Sequence, residues 1–136
     1  MFDRLIVAVL ENATKDPPLF RVEERVAMLR EVVRPFPNVE VGSFRGLLVD
    51  YAAEKQAGVL IRGIRAISDY EYELQMALMN KRLAPGVETV FLMSSEAYSF
   101  LSSRLVKQVI ALGGNITGLV PPVLEERLKN RVTRGA

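Results

Sequence analysis

The stretch Leu5-Ile-Val-Ala-Val-Leu10 is a continuous apolar run, rich in β-branched side chains, that starts almost at the first residue. A run of this kind is typical of a strand buried on both faces, as in a parallel sheet. Shorter segments predict strands at residues 39–41, 59–61 and 89–93. Apolar spacing predicts helices over residues 23–33, 47–55, 102–112 and 122–132, and a longer helix from Ser68 or Asp69 to residue 83.

This alternation of strands and helices predicts an α/β fold. Right-handed crossovers would give a parallel sheet with helices on both faces. With 136 residues, of which 49% are hydrophobic, the chain is long enough to bury a core. We therefore expect one domain over residues 1–136.

Some residue types do not occur in the sequence, and this limits the reactions that the chain can catalyse. The chain has no Cys, His or Trp, which excludes disulfides, thiolate nucleophiles, imidazole bases and Cys or His metal sites. Any reaction must use Lys, Arg, carboxylates, hydroxyls and backbone amides. That set favours phosphate chemistry, where positioning and charge do most of the catalysis. No metal ligands of the protein's own are predicted.

The charge pattern limits the classes of partner that the protein is expected to bind. The net charge is +2, supplied mostly by Arg, which suits anionic ligands. Acids are interleaved with the basic residues, so no nucleic-acid partner is expected. The apolar run at residues 5–10 is too short to cross a bilayer and lacks a basic leader and a cleavage site. No membrane partner is expected, and the predicted location is cytoplasmic.

Ligands of an open α/β sheet bind beyond the carboxyl ends of the strands, and three segments carry phosphate-binding residue types there. Lys15 follows the first strand. Arg62-Gly63-Ile64-Arg65 follows the strand at 59–61, and its two guanidinium groups around a glycine resemble an anion clamp. A third segment opens a helix, where hydroxyls and backbone amides attract anions. It comprises Tyr98, Ser99, Phe100, Leu101, Ser102, Ser103 and Arg104.

Each segment also has a simpler interpretation. Lys15 fits a solvated loop lysine, and Ser102 fits an ordinary helix N-cap. Arg62 and Arg65 fit surface arginines paired with acids of the next helix, and Glu73 fits a solubilising surface residue. The candidate acids are Asp69, Glu71 and Glu73. The residues alone indicate a nucleotide-phosphate enzyme and leave its second substrate open.

The long predicted helix carries two apolar stripes. Tyr70, Leu74, Ala77 and Leu78 form one stripe, and Tyr72, Met76, Met79 and Leu83 form the other. A helix packed on one sheet needs a single stripe. The second stripe therefore predicts burial by the rest of the fold or by another subunit, and its soft methionine pair favours a subunit contact.

Five segments taken together point to a known family. They are Lys15, Phe20-x-x-Glu23-Glu24-Arg25, Leu60-Ile-Arg-Gly-Ile-Arg65-Ala66, Asp69-Tyr-Glu-Tyr-Glu-Leu-Gln-Met-Ala77 and Ser99-Phe-Leu-Ser-Ser103-x-x-Val-Lys107. The chain resembles bacterial phosphopantetheine adenylyltransferase, a nucleotidyltransferase, along its whole length. The resemblance implies a Rossmann-like fold, Mg²⁺ as cofactor and a homohexamer. It also implies condensation of ATP with 4′-phosphopantetheine to dephospho-coenzyme A and pyrophosphate, a step of coenzyme A biosynthesis.

The resemblance implies roles for the matched residues on the substrate side. Lys15 would contact the phosphates and the pantetheine substrate, and Leu48 and Arg62 would line the phosphopantetheine site. Lys15 and Arg65 would be the catalytic residues. The implied reaction is in-line attack of the pantetheine phosphate on the α-phosphorus of ATP, driven by charge stabilisation without a covalent enzyme intermediate.

The ATP side is implied in the same way. Gly63, Ile64, Arg65 and Glu73 would hold ATP, with Arg65 on its phosphates. The segment from Tyr98 to Arg104 would form a second ATP-phosphate loop. Arg104 stands where the family usually has a small hydroxyl residue, which adds positive charge to that loop.

The family also begins with a strand, a Gly-x-Phe-Asp-Pro-type turn and a Thr/His-x-Gly-His motif, whose histidine stabilises the transition state. Met1-Phe2-Asp3 matches the stretch just before the family's second strand. We therefore expect about 25 residues, a strand, a turn and a helix of a βαβ unit, to lie upstream of Met1 in the whole protein. Met1 would then be an internal methionine, or the sequence a fragment. Two other functions stay open: an inactive nucleotide-binding or assembly component, and a related enzyme acting on another phosphate, such as nicotinamide mononucleotide.

Overall fold

The computed structural model describes residues 1–11 and 18–135. Its elements follow the predicted alternation of strands and helices, which confirms the α/β class. In chain order they are β1 (Leu5–Leu10), α1 (Val22–Val33), β2 (Val39–Phe44), α2 (Leu48–Glu54), β3 (Val59–Ile64), α3 (Ile67–Leu83), β4 (Glu88–Met93), a 3₁₀ turn (Glu96–Tyr98), α4 (Ser103–Ala111) and α5 (Pro122–Arg134).

The strands are the elements whose lengths differ most from prediction. β2 and β3 each run three residues past their predicted ends at 41 and 61. In β3 the extension covers Arg62, Gly63 and Ile64, which stay in parallel register with Phe91, Leu92 and Met93 of β4. The prediction that these residues follow the strand is wrong, because strand pairing carries the extended backbone through the glycine.

The start of α3 also differs from prediction. Its N-cap is Ala66, not Ser68 or Asp69. Asp69 lies in the first turn of the helix, and its carboxylate accepts a hydrogen bond from the backbone N–H of Arg65 at 3.2 Å. An acid is favourable there because the first backbone N–H groups of a helix carry partial positive charge.

The chain forms two compact units, residues 1–45 with 101–136 and residues 46–100. The single domain over residues 1–136 stays a prediction. The described strands form two parallel pairs, β1 with β2 and β3 with β4, one pair in each unit. The parallel direction is as predicted, while the described strands do not join into one sheet.

In the first unit, α1 packs on β1 and β2, and α5 contacts both α1 and α4. A hydrophobic cluster lies around Ile116, which has no solvent exposure. Val106 and Ile110 of α4 are the other buried members of this cluster. The partly buried side chains packed against it are Leu101, Val109, Val120, Leu128 and Val132.

In the second unit, α3 packs on β3 and β4 and contacts α2. Tyr70, from the first apolar stripe of α3, meets Phe91 of β4 edge to face at 6.3 Å between ring centroids. Both stripes are exposed, Tyr70, Leu74 and Leu78 of the first as well as Tyr72, Met76, Met79 and Leu83 of the second. Among the described helices, none is both long enough and apolar enough to span a membrane.

Candidate active site

The carboxyl end of β3 carries the residues that sequence analysis assigned to an anion clamp. Side chains at every second position of a strand share one face, so Arg62 lies in the same row as Leu60 and Ile64. Those two neighbours are buried. Arg62 itself keeps 47% of its side chain exposed, and its guanidinium has a charged partner beside the strand.

Glu73 of α3 is that partner. The Nε of Arg62 donates to Oε2 of Glu73 at 2.8 Å, and Nη2 donates to Oε1 at 2.6 Å. Glu73 is only 9% exposed and is the one buried charged residue in the described part of the chain. The hydrogen bond to Glu73 raises the pKa of Arg62, although partial burial opposes the shift. The guanidinium therefore stays charged at any physiological pH.

Arg65 forms a second ion pair just beyond the strand. Its Nε donates to Oδ2 of Asp69 at 3.0 Å, and its Nη2 lies 3.4 Å from Oδ1. These contacts hold the pKa of Asp69 below its usual value. The ion pairs of the simpler interpretation are thus present for both arginines. They leave a role in anion binding open, because a guanidinium has five N–H donors and a bidentate carboxylate takes two.

Gly63 and Ile64 contribute backbone rather than side chains to this edge. A Cβ placed on Gly63 would meet no heavy atom within 4 Å, so the fold itself does not need a glycine there. The open space suits close approach of a ligand to the backbone. The side chain of Ile64 is buried, which restricts any ligand contact of this residue to its main chain.

The third predicted segment is divided between the two units. Tyr98, Ser99 and Phe100 end the second unit, and Leu101 opens the returning part of the first. Ser99 donates its hydroxyl to the carbonyl of Glu96 at 3.1 Å, closing the 3₁₀ turn. The side chains of Tyr98 and Phe100 are exposed.

Ser102 is the N-cap of α4, as the simpler interpretation predicted. Its hydroxyl oxygen accepts from the backbone N–H of Leu105 at 3.1 Å. Ser103 and Arg104 form the first turn of the helix and are exposed.

Two further sequence-predicted residues have different outcomes. Leu48 is the first residue of α2 and is half-buried. Lys15 lies outside the described residues, so its predicted role stays a prediction. Across residues 1–11 and 18–135, no group of three or more acidic side chains is arranged to hold a metal ion.

Sequence analysis missed a cluster at the carboxyl end of β1. Glu11 accepts from Nε of Arg45 at 2.5 Å and from the hydroxyl of Ser43 at 3.1 Å. The bonds from Arg45 and Ser43 lower the pKa of Glu11. The signal lay in the parallel register, which places Val9 beside Ser43 and Leu10 beside Phe44.

Sequence analysis also missed the burial of Glu73. Its position three residues after Tyr70 and four before Ala77 puts it on the first apolar stripe. An acid within an apolar stripe signals a buried partner, and that partner, Arg62, lies eleven residues earlier on β3.

The chain was then compared with known proteins. Residues 1–109 match the family model described as cytidylyltransferase-like. The phosphopantetheine adenylyltransferase of Alkaliphilus metalliredigens is 50% identical over 131 residues, covering 96% of this chain and 83% of the relative. The enzyme of the same name from Caldanaerobacter subterraneus subsp. tengcongensis is 52% identical over 96% of this chain and 81% of its own length.

A third relative agrees with these two. The phosphopantetheine adenylyltransferase of Carboxydothermus hydrogenoformans is 53% identical over 96% of this chain and 80% of its own length. Identity of this level over nearly the whole chain, together with the parallel βαβ units and the arginines at the end of β3, leads to one assignment. The chain belongs to the cytidylyltransferase-like family and, within it, to the phosphopantetheine adenylyltransferases.

Proposed function

We propose that this protein transfers the adenylyl group of ATP to 4′-phosphopantetheine, giving dephospho-coenzyme A and pyrophosphate in coenzyme A biosynthesis. The identity with relatives named phosphopantetheine adenylyltransferase supports the reaction. The observation in the molecule that carries the proposal is the pair of charged guanidinium groups, Arg62 and Arg65, at the carboxyl end of one parallel strand. That edge is where α/β folds bind nucleotides.

The reaction balances as an in-line displacement. A phosphate oxygen of phosphopantetheine forms a bond to the α-phosphorus of ATP, and the bond from that phosphorus to the bridging oxygen of the β-phosphate breaks. Pyrophosphate leaves with the electron pair. The 136 residues contain no His or Cys, so in this chain the work falls on charge and position. Preorganised cations aimed at the developing charge are a main source of catalysis in such reactions.

Within this proposal the residues divide between the two substrates. Arg62 and Leu48 bind phosphopantetheine. The guanidinium of Arg62 contacts the phosphate of this substrate. Arg65, Glu73 and the main chain of Gly63 and Ile64 bind ATP, with Arg65 as a catalytic group on its phosphates. Lys15 contacts both sets of phosphates, and the Tyr98–Arg104 segment contributes further to ATP.

Mg²⁺ enters the proposal as part of the ATP substrate. The described residues do not form a cluster that fits a resident Mg²⁺, and this ion commonly binds through substrate phosphates with few protein ligands. No step above depends on it. A homohexamer in the cytoplasm completes the proposal, supported by the exposed second apolar stripe of α3, whose methionines suit a contact between copies.

The test is an activity assay on the purified whole protein, including the segment expected upstream of Met1, with the 136-residue chain assayed beside it. We expect pyrophosphate release from ATP that depends on added 4′-phosphopantetheine, with dephospho-coenzyme A as the second product. Nicotinamide mononucleotide in place of phosphopantetheine is the control for the related enzyme, and it should release none. Activity with the mononucleotide alone would make the protein that related enzyme, whereas ATP binding without either activity would make it a nucleotide-binding component.

A further inference from the structure

A groove in the first unit lies between the C-terminal end of α1 and strand β2. Its volume is about 470 Å³, and its lining includes none of the residues assigned to adenylyl transfer. The lining combines two arginines with apolar side chains from the helix, the turn that follows it and the strand. They are Arg30, Val33, Arg34, Phe36, Val39 and Val41. The groove is therefore a candidate binding surface separate from the reaction.

The main chain of β2 is open on the side that faces away from β1. The N–H of Leu5 donates to the carbonyl of Asn38 at 2.9 Å, and the two strands stay paired from there in parallel register. Alternate residues of a paired strand direct their main-chain groups to the same side, so Val39, Val41 and Ser43 face outward. In the described part of the chain, the N–H and C=O groups of Val41 and Ser43 have no main-chain partner. Such an edge can accept a further strand.

Two arginines give the groove its positive charge. Arg30 lies in the last turn of α1 and Arg34 is its C-cap, so the two side chains are one helical turn apart. Both are exposed, and neither has an ion pair among the residues that the structure describes. Glu31, which lies between them in sequence, accepts instead from Arg127 at 2.7 Å. Like charges at this spacing repel each other, so an anion beside them would be stabilising.

The simpler interpretation of Arg30 and Arg34 is that positive charge stabilises the C-terminal end of a helix. That interpretation does not account for the open strand edge or for Phe36, which is 57% exposed beside the same arginines. Glu40 is the only acid among the described residues of the lining, and it already has a cation. Its two carboxylate oxygens accept from Arg4 at 2.6 and 3.1 Å. The groove therefore keeps a positive charge.

We infer that this groove binds an extended, acidic peptide segment of a partner protein. The segment adds as a strand to the outer edge of β2 and exchanges main-chain hydrogen bonds with Val41 and Ser43. Side chains of a strand alternate between two faces, so acids at every second position share the face on which Arg30 and Arg34 lie. The inference goes beyond the proposed function and does not depend on it.

The test measures peptide binding by fluorescence anisotropy on the whole protein, including the segment expected upstream of Met1. The probe is a labelled peptide of about seven residues, the length of a typical strand, in which glutamate alternates with valine. One control peptide has lysine in place of glutamate, and the other carries N-methyl groups on its central amides, which prevents strand addition. We expect saturable binding of the acidic peptide that weakens as salt is added. Both control peptides should bind at least about tenfold more weakly.

A variant of the groove removes its charge and leaves the strand edge intact. We expect Arg30→Ala combined with Arg34→Ala to weaken binding of the acidic peptide about fivefold or more, the effect of losing two exposed ion pairs. Arg82→Ala removes an exposed arginine of α3 that does not line the groove, and it should bind the peptide as wild type does. An unchanged midpoint of thermal unfolding shows that each variant is folded.

Several results would overturn the inference. They are no saturable binding of the acidic peptide, equal affinity for either control peptide, and unchanged affinity in the variant that lacks both arginines. Peptide binding that lowers the mass of the protein assembly, measured by light scattering, would assign the edge to a second copy of this chain. Displacement of the peptide by inorganic phosphate, but not by sodium chloride at the same ionic strength, would assign the groove to a small anion. Either assignment would also overturn the inference.

Discussion

Asp69 accepts hydrogen bonds from both the backbone N–H and the guanidinium of Arg65, at 3.2 and 3.0 Å to the same carboxylate oxygen. Arg65 lies between the end of β3 and the first turn of α3. The contact therefore joins the strand, the helix start and the arginine that we assign to ATP. An ion pair four residues apart that also binds the main chain orients the guanidinium more firmly than a side-chain contact alone.

This contact predicts a pH dependence of stability. Arg65 holds the pKa of Asp69 below its usual 3.8, so the contribution of Asp69 to the free energy of unfolding is complete above 3.8. It is lost as the pH falls through the lowered value in the folded protein. We expect the difference in unfolding free energy between wild type and Asp69→Asn to be constant between pH 5 and 7 and to shrink below about pH 4.

Chemical denaturation of both proteins at each pH checks this prediction. The difference between them isolates Asp69 from Glu11, Glu24 and Glu125, whose pKa values are lowered too. A difference that stays the same from pH 7 to pH 3 would show that the carboxylate has no net interaction with Arg65.

The role of Arg65 predicts a large kinetic effect of its removal. Arg65→Ala should lower ATP turnover at least about tenfold, because a charge-assisted contact to phosphate is worth about 1.5–3 kcal/mol. Steady-state pyrophosphate release measures it. Arg82→Ala removes an exposed arginine from the last turn of α3 and is the control, expected to keep wild-type rates. Equal rates for the two variants would remove Arg65 from the site.

Substitution of a buried side chain in the core of the first unit should lower the free energy of unfolding. Ile116→Ala should lower the free energy of unfolding by about 2–5 kcal/mol, because it leaves a cavity among Val106, Ile110 and their neighbours. Leu112→Ala is the control, since that side chain is 81% exposed and its loss should cost less than about 0.5 kcal/mol. Urea unfolding gives both values. A small effect for Ile116→Ala would mean that this cluster is not a packed core.

Two Arg→Lys substitutions on α5, at Arg131 and Arg127, are expected to differ in their effect on thermal stability. Its guanidinium donates to the carbonyl of Leu19 and to Glu24, and it lies 4.8 Å from the centre of the Phe20 ring. Arg127, one turn earlier, donates a hydrogen bond to Glu31. Lysine can replace a single contact but not a fork stacked on a ring.

We therefore expect Arg131→Lys to lower the midpoint of thermal unfolding clearly more than Arg127→Lys. Differential scanning calorimetry of the two variants makes the comparison. Equal midpoints would indicate that the contacts of Arg131 contribute nothing to the attachment of α5 to α1.

Element type could be predicted from this sequence because the local patterns were consistent. The run from Leu5 to Leu10 is apolar and β-branched, and it forms β1. Ser102 has the residue type that caps a helix, and it caps α4. In both cases the information lies within a few neighbouring residues.

The predictions that failed share a physical cause, which is that pairing with a specific residue or strand, and not the local residue pattern, determines the structure. β3 continues through Gly63 because β4 lies beside it in register. The long helix begins after Ala66 because Asp69 binds back to Arg65 from inside the first turn. Glu73 can be buried because Arg62, between Leu60 and Ile64 on β3, supplies the counter-charge of its carboxylate. A single sequence does not reveal these pairings.

Adenylyl transfer to 4′-phosphopantetheine is the central claim, and ATP labelled at the α-phosphorus tests it most directly. The measurement follows the label by chromatography after incubation of the protein with 4′-phosphopantetheine. We predict that the label appears in dephospho-coenzyme A in step with pyrophosphate release. Label that stays in ATP, or that appears only in AMP with phosphopantetheine unchanged, would contradict the claim.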